Sequence, residues 1–259
     1  MMTKNVALNS TIKRLLWVAM LFVSAAFVIS AVAKKGASPV QEVNIEVAPL
    51  QDGNLLITGD DIRLTIERSF GFPLENLSIA RVDVDRLERV LEAEPFILDA
   101  DVFVDARNKV NIKVEQRLPV LRIIDHNGLN YYLDGSGSRM PLSPHFSARV
   151  IVATGNIPPH VPDFREKKDY LLNQIFDLAE TIRKDAFLFP FIQQIYVNNR
   201  SEITLVPTVG NQKISLGWCR NVEEKLENLK IFYQEGLPYE GWQKYRHIDL
   251  KYDGQVVCK

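Results

Sequence analysis

Between Leu15 and Ala33 the chain reads LLWVAMLFVSAAFVISAVA, 19 residues without a charge. As a helix rising about 1.5 Å per residue this run reaches roughly 28 Å, close to the ~30 Å hydrocarbon core of a bilayer. Lys13-Arg14 precede it and Lys34-Lys35 follow. It has no polar face, which argues against a helix buried in a soluble core. A cleavable signal peptide shares its outline, with a basic start and an A-x-A pattern at Ala31-Val32-Ala33. The apolar part of such peptides is usually about 7–15 residues, shorter than this one. The expectation is a tail over residues 1–14, an uncleaved transmembrane helix over 15–33 and the remaining chain on one side of a membrane. Charge favours a cytoplasmic N-terminus by a slim margin: Lys4, Lys13, Arg14 and the free amine stand against Lys34 and Lys35.

The 259 residues are 46% hydrophobic and 24% charged, a composition of folded protein with room for one or two domains beyond the anchor. The first 35 residues hold five bases and no acid, so the remainder carries −6 while the whole chain carries −1. Such a surface repels phosphate backbones, and nucleic-acid binding is not expected. Cys219 and Cys258 would pair only in an oxidising compartment and only within bonding range, and two idle thiols fit as well. Asn76-Leu77-Ser78 and Asn199-Arg200-Ser201 match a glycosylation sequon, which matters only in a eukaryotic secretory pathway.

After a small, polar linker over residues 34–42, Val43, Ile45 and Val47 alternate with polar neighbours as in a half-buried strand. Thr58 with Asp61 offers a helix start, followed by Ile62, Ile66 and Phe70 on one stripe and stopped by Gly71 and Pro73. Asp83 caps a second helix with Val84, Leu87 and Leu91 inward. Strands follow at 97–105 and 110–114 around an Arg107-Asn108 turn. Two helices on three strands close a small core, and the order β-α-α-β-β resembles a POTRA domain over residues 43–116. Beyond it, strands are expected at 120–124, around Tyr131-Tyr132-Leu133, and at 149–153, 192–197, 202–206 and 213–216. Helices are expected at about 163–184 and 222–234, and the chain closes with strands 245–252 and 255–258 about an Asp253-Gly254 turn. The fold class is α+β: one transmembrane helix, a POTRA-like domain, then a mixed β domain with two helices over residues 117–259.

The chain carries no recognisable reaction centre. Gly135-Ser136-Gly137-Ser138 lacks the Lys-Ser/Thr of a phosphate loop and the spacing of a serine elbow, and reads as a β-turn. His126, His145, His160 and His247 are scattered, with no ligand spacing to a cysteine, so no metal and no cofactor are expected. Glu223-Glu224 and Asp83/Asp85 sit at helix starts, where the dipole favours acids.

Five short motifs carry a more specific resemblance: Glu94-Pro95-Phe96, Arg117-Leu118-Pro119-Val120, Tyr131-Tyr132-Leu133-Asp134, Thr154-Gly155 and Ile248-Asp249-Leu250-Lys251-Tyr252. In this order behind an anchor, they resemble the FtsQ/DivIB family of bacterial cell-division proteins. The ending Gln255-Val256-Val257-Cys258-Lys259 is most similar to members from Bacteroidota. The chain departs from many relatives in having Val152-Ala153 before Thr154-Gly155 where they have a proline-containing approach.

The resemblance implies a non-enzymatic scaffold of the division septum. Its N-terminus would lie in the cytoplasm, its domains in the periplasm, and its partners would be FtsB- and FtsL-like bitopic coiled-coil proteins. Within the last expected strand, Tyr245, Arg246, His247, Ile248, Asp249, Leu250, Lys251 and Tyr252, alternate side chains point to opposite faces. As an edge strand it could accept a partner strand, although an ordinary solvated strand has the same pattern. Arg200, beside the Asn198-Asn199 turn, is a further candidate for a charged partner contact. Two other classes compete: a POTRA-containing outer-membrane assembly factor, which normally repeats the POTRA unit and ends in a barrel, and a membrane-tethered cell-wall hydrolase or transferase, which an assay on muropeptides would reveal.

Overall fold

In the computed structural model, which describes residues 3–259, the apolar run lies within one helix, α1 (Thr3–Ala37). Its segment Leu15–Ala37 is long and apolar enough to cross a membrane. The expected linker therefore begins as helix: Lys34 and Lys35 form the last turn, where cations suit the dipole, and the helix ends only as Pro39 approaches. Contacts divide the chain into two units. The first holds residues up to Ala48 with Ile57–Glu115; the second holds Pro49–Leu56 with Gln116–Lys259.

The first unit follows the expected order: β1 (Glu42–Ala48), α2 (Gly59–Phe70), α3 (Val84–Glu92), β2 (Ile97–Val104) and β3 (Lys109–Gln116). Thr58 and Asp61 form a reciprocal capping box at the start of α2, and Gly71 ends that helix in the left-handed conformation at φ 79°. Asp83 accepts the Arg86 N–H at the start of α3. The sheet order is β1-β3-β2, with β1 parallel to β3. Ile62, Ile66, Leu87 and Leu91 bury themselves against Ile97, Val102, Val110 and Ile112. Between the helices, Ile79–Arg81 makes one 3-10 turn.

The second unit is built on one nine-stranded sheet, ordered β12-β11-β10-β9-β8-β7-β4-β5-β6. Its elements are β4 (Pro119–Ile124), β5 (Asn130–Asp134), β6 (Arg139–Met140), β7 (Ile151–Gly155), α4 (Leu171–Lys184), α5 (Leu188–Phe191), β8 (Ile192–Val197), β9 (Ile203–Pro207), β10 (Lys213–Gly217), α6 (Val222–Ile231), α7 (Leu237–Glu240), β11 (His247–Asp249) and β12 (Val257–Cys258). The pairs β4/β7, β7/β8 and β10/β11 are parallel and the others antiparallel. One sheet face, with Leu121, Ile123, Ala153, Ile195, Leu205, Ile214 and Ile248, packs on Ile175, Phe176, Leu178 and Ile182 of α4 and on Leu226 and Leu229 of α6. Alternation sends Thr154, Tyr196, Thr204, Ser215 and Asp249 to the other face.

Several family-like motifs now have physical reasons. Arg117 Nη1 reaches Asp134 Oδ2 at 3.2 Å, tying two of them together. Asp134 Oδ1 in turn accepts the N–H groups of Ser136 and Ser138, each at 2.9 Å, so Gly135–Ser138 is the expected turn. Gly155 lies at φ 101°, and a Cβ there would stand 2.1 Å from the Val197 carbonyl oxygen, which only glycine avoids. Glu94 Oε1 accepts the Thr65 hydroxyl at 3.2 Å, joining the segment just past α3 to the middle of α2.

Three expectations need correction. The helix expected from Asp163 begins only at Leu171: Phe164–Glu166 forms a separate 3-10 turn, because Phe164 is drawn fully into the core and Arg165 stacks 4.4 Å over Phe176. The last helix does not stop near Gln234 but passes through a π segment, Phe232–Gly236, into α7, where the Leu237 N–H bonds to the Phe232 carbonyl. Pro238 has no N–H for the regular ladder, which accounts for the slipped register. Finally, the strand expected at 245–252 is three residues long, as the next section describes.

Candidate partner-binding edge

β11 owes its place to Ile248, whose side chain is completely buried under the helices, and to Leu250, almost as buried. On its opposite side chains the setting is polar: His247 Nε2 lies 3.1 Å from Ser215 Oγ, and Lys251 Nζ lies 3.7 Å from Asp249 Oδ2. Asp249 Oδ1 accepts the Lys251 N–H at 3.0 Å. That local turn takes the backbone out of the strand, so Tyr252 is 58% exposed and leaves the buried face of Ile248 and Leu250. At the other end, Arg246 is exposed, and the Tyr245 hydroxyl donates to Glu240 Oε2 at 3.4 Å.

Strand addition to this segment is conditional on its being an edge, and the pairing does not meet that condition. β11 is bonded on both sides. Its even residues face β10, with the Leu250 N–H donating to the Ser215 carbonyl and the Lys213 N–H donating to the Arg246 carbonyl. Its odd residues face β12: His247 and Lys259 exchange both backbone bonds, at 2.9 and 3.0 Å. Asp253-Gly254 reverses the chain as expected, and the hairpin it makes covers the strand that precedes it. The last strand of the sheet is β12, which among the described residues pairs with β11 alone. Antiparallel ladders alternate, so with Lys259 bonded to His247, the Cys258 N–H and C=O point outward. Val256 and Cys258 turn their side chains to the core, and beside them lies an open groove of about 400 Å³ lined by Ile231, Phe232, Glu235, Gly236, Gly254 and Val256.

Arg200 is exposed and stands apart from this edge, with β9 and β10 between its turn and β11. Its N–H donates to Asn198 Oδ1 at 2.8 Å and its carbonyl accepts Trp218 Nε1 at 3.5 Å. Trp218, 57% exposed, follows directly after Gly217, whose neighbour across the sheet is Lys251. Arg200, Trp218, Arg220 and Lys251 therefore share one end of the sheet, with the Arg220 guanidinium 5.7 Å over the Trp218 ring. Sequence reasoning missed Trp218 and Cys258; the signals were an exposed-type aromatic just past a strand and the parity of a closing hairpin. Cys219 and Cys258 are free thiols. Burial pushes Cys219 up to about 11, with its Sγ 3.8 Å from the Gln174 carbonyl oxygen.

A POTRA-like family model matches residues 38–115, the run from β1 through α2, α3 and β2 into β3. A curated relative, the cell division protein FtsQ of Salinibacter ruber, is 29% identical over 158 residues, covering 58% of this chain. The chain spans 59% of that relative's length. A second family model, described as FtsQ/DivIB, C-terminal related, matches residues 118–259, the whole run from β4 to the open β12 edge. With more than half its length under that description, the chain belongs to the FtsQ/DivIB C-terminal related family.

Proposed function

We propose that the chain is a non-enzymatic, membrane-anchored scaffold of the bacterial division septum, held by α1, which recruits other division proteins through its second unit. The observation that carries the reading is the outward-facing backbone of β12 beside the groove at Ile231 and Phe232. A strand laid on β12 gains backbone bonds from Cys258 and places alternate side chains into that groove. Partners of the FtsB and FtsL kind, small bitopic coiled-coil proteins, supply such a segment from the same membrane, with α1 crossing from a cytoplasmic N-terminus. Acidic side chains on the partner would complement Arg200 and Arg220 at the sheet end. The family name and the name of the Salinibacter relative support the setting in cell division.

Co-purification from detergent-solubilised membranes tests this. Ile231 is 45% exposed, so Ile231→Asp places a charge in the groove without emptying the core. FtsB- and FtsL-like proteins should come down with the wild-type chain and be lost with Ile231→Asp; equal recovery would sink the groove as the docking site.

A further inference from the structure

The end of the first unit nearest α1 has a composition that the scaffold role leaves unused. The 3-10 turn Ile79–Arg81 packs directly on the last turn of α1: a Cβ on Gly36 would lie 3.3 Å from the Ala80 Cβ. The contact is locked by backbone, since the Ile79 N–H donates to Ser38 and the Val40 N–H to Leu77, both at 2.9 Å. One step further on, the Gln41 N–H donates to the Asn108 carbonyl at 3.0 Å, which brings the β2–β3 turn to the same end. Ala80, Arg81 and Arg107 are exposed there, as are Lys34 and Lys35 on α1.

Because Ile79–Arg81 sits at the level of Lys34–Gly36, its depth is set by α1. The span Leu15–Ala37 has 23 residues. As a helix it covers about 34 Å, so its last turn emerges at the headgroup layer of a ~30 Å hydrocarbon core. The four bases make no ion pair among the described residues. Of the nearby acids, Asp105 lies beside Arg107 and feels its charge, with Oδ1 accepting the N–H groups of Arg107 at 2.7 Å and Lys109 at 2.9 Å, while Asp83 caps α3 and Glu42 pairs with Lys109. Unpaired cations beside small apolar side chains at this depth match the chemistry of an anionic lipid surface.

We propose that Lys34, Lys35, Arg81 and Arg107 form a foot that rests on the bilayer and binds anionic phospholipid headgroups, orienting the first unit on the membrane. The proposal rests on the reading of α1 as membrane-spanning.

The test uses the full chain, with Cys219→Ser and Cys258→Ser, reconstituted in phosphatidylcholine vesicles with or without phosphatidylglycerol and a headgroup spin-labelled lipid. A fluorophore is placed on Ala106→Cys, in the turn beside Arg107, or on Glu92→Cys, the far end of α3. Quenching should be strong at position 106, weak at 92, and larger with phosphatidylglycerol. Arg81→Gln and Arg107→Gln should each lower the headgroup-contact equilibrium about fivefold. Equal quenching at the two positions, or indifference to the anionic lipid and to both substitutions, overturns the foot. Carbonate extraction of the same vesicles reads the anchor separately. Release of the chain overturns the membrane reading and the foot with it; a retained chain with position 106 unquenched overturns the foot alone.

Discussion

The parity of the last hairpin can be read with two prolines one residue apart. Val257 stands opposite Asp249, and Cys258 opposite Ile248. Since His247 and Lys259 form a bonded pair, alternation makes Val257–Asp249 a bonded pair as well, while the Cys258 N–H faces outward. Val257→Pro therefore removes a ladder bond worth about 1 kcal/mol and leaves a half-buried Asp249 carbonyl without its donor; a ring clash brings the loss to about 2–3 kcal/mol. Cys258→Pro removes no bond within the chain, and its cost is confined to φ restriction and lost side-chain packing, about 1 kcal/mol. For a strand added to β12 the ranking reverses. Cys258→Pro deletes the donor the partner would use and should weaken binding about tenfold, whereas Cys258→Ala keeps the N–H and should bind nearly as wild type. Urea unfolding monitored by tryptophan fluorescence gives the stability order, and titration with a peptide of the partner's strand gives the affinity order. Equal unfolding midpoints for the two proline variants would refute the register. Wild-type affinity in Cys258→Pro would refute strand addition at this edge.

Gly155→Ala forces a Cβ to within 2.1 Å of the Val197 carbonyl at φ 101°; about 3 kcal/mol or more should be lost, read as a lowered urea midpoint, and an unchanged midpoint would count against the β7/β8 geometry. Asp185 is held below the usual carboxylate range, chiefly by the Leu188 N–H, then by the Phe187 N–H and by Lys230 at 3.2 Å. A lowered folded-state value contributes stability above the unfolded value, about 3.9, and loses it as pH falls through the folded one. Asp185→Asn should therefore cost on the order of 1 kcal/mol at pH 7 and progressively less toward pH 3; a pH-independent difference would contradict this. Burial raises both thiols, Cys219 to about 11, so at pH 8 iodoacetamide should label the less buried Cys258 first, as mapped by mass spectrometry. Faster labelling of Cys219 would contradict its burial.

Local codes in the chain were strong where the physics is local. Thr58 with Asp61, Asp83, the Ile62/Ile66 and Leu87/Leu91 stripes and the Arg107-Asn108 turn each act within a few residues, and the first unit follows them closely. The second unit was legible in its strands but less so in its helices. Phe164 leaves the helical pattern because a core position forty residues from β4 accepts it, and Pro238 shifts a ladder only because α6 is already packed. Arg117 and Asp134 were noticed as motifs, but their 3.2 Å ion pair depends on β4 meeting β5. Whether β11 is an edge was open in the sequence for a related reason. Alternation in Tyr245–Tyr252 tells which side chains share a face, yet says nothing about what lies to either side of the strand.

Sequence alone determined the apolar span, the two-unit order and the family resemblance, because hydropathy, caps and turns are properties of neighbouring residues. Tertiary structure decided which backbone is exposed. β10 and β12 enclose β11, and the outward N–H of Cys258 follows from a pairing register set by a hairpin and a buried Ile248. It also decided that Ile79–Arg81 lies at the depth of Lys34–Gly36, since only the folded chain brings residues more than forty positions apart onto one helical turn.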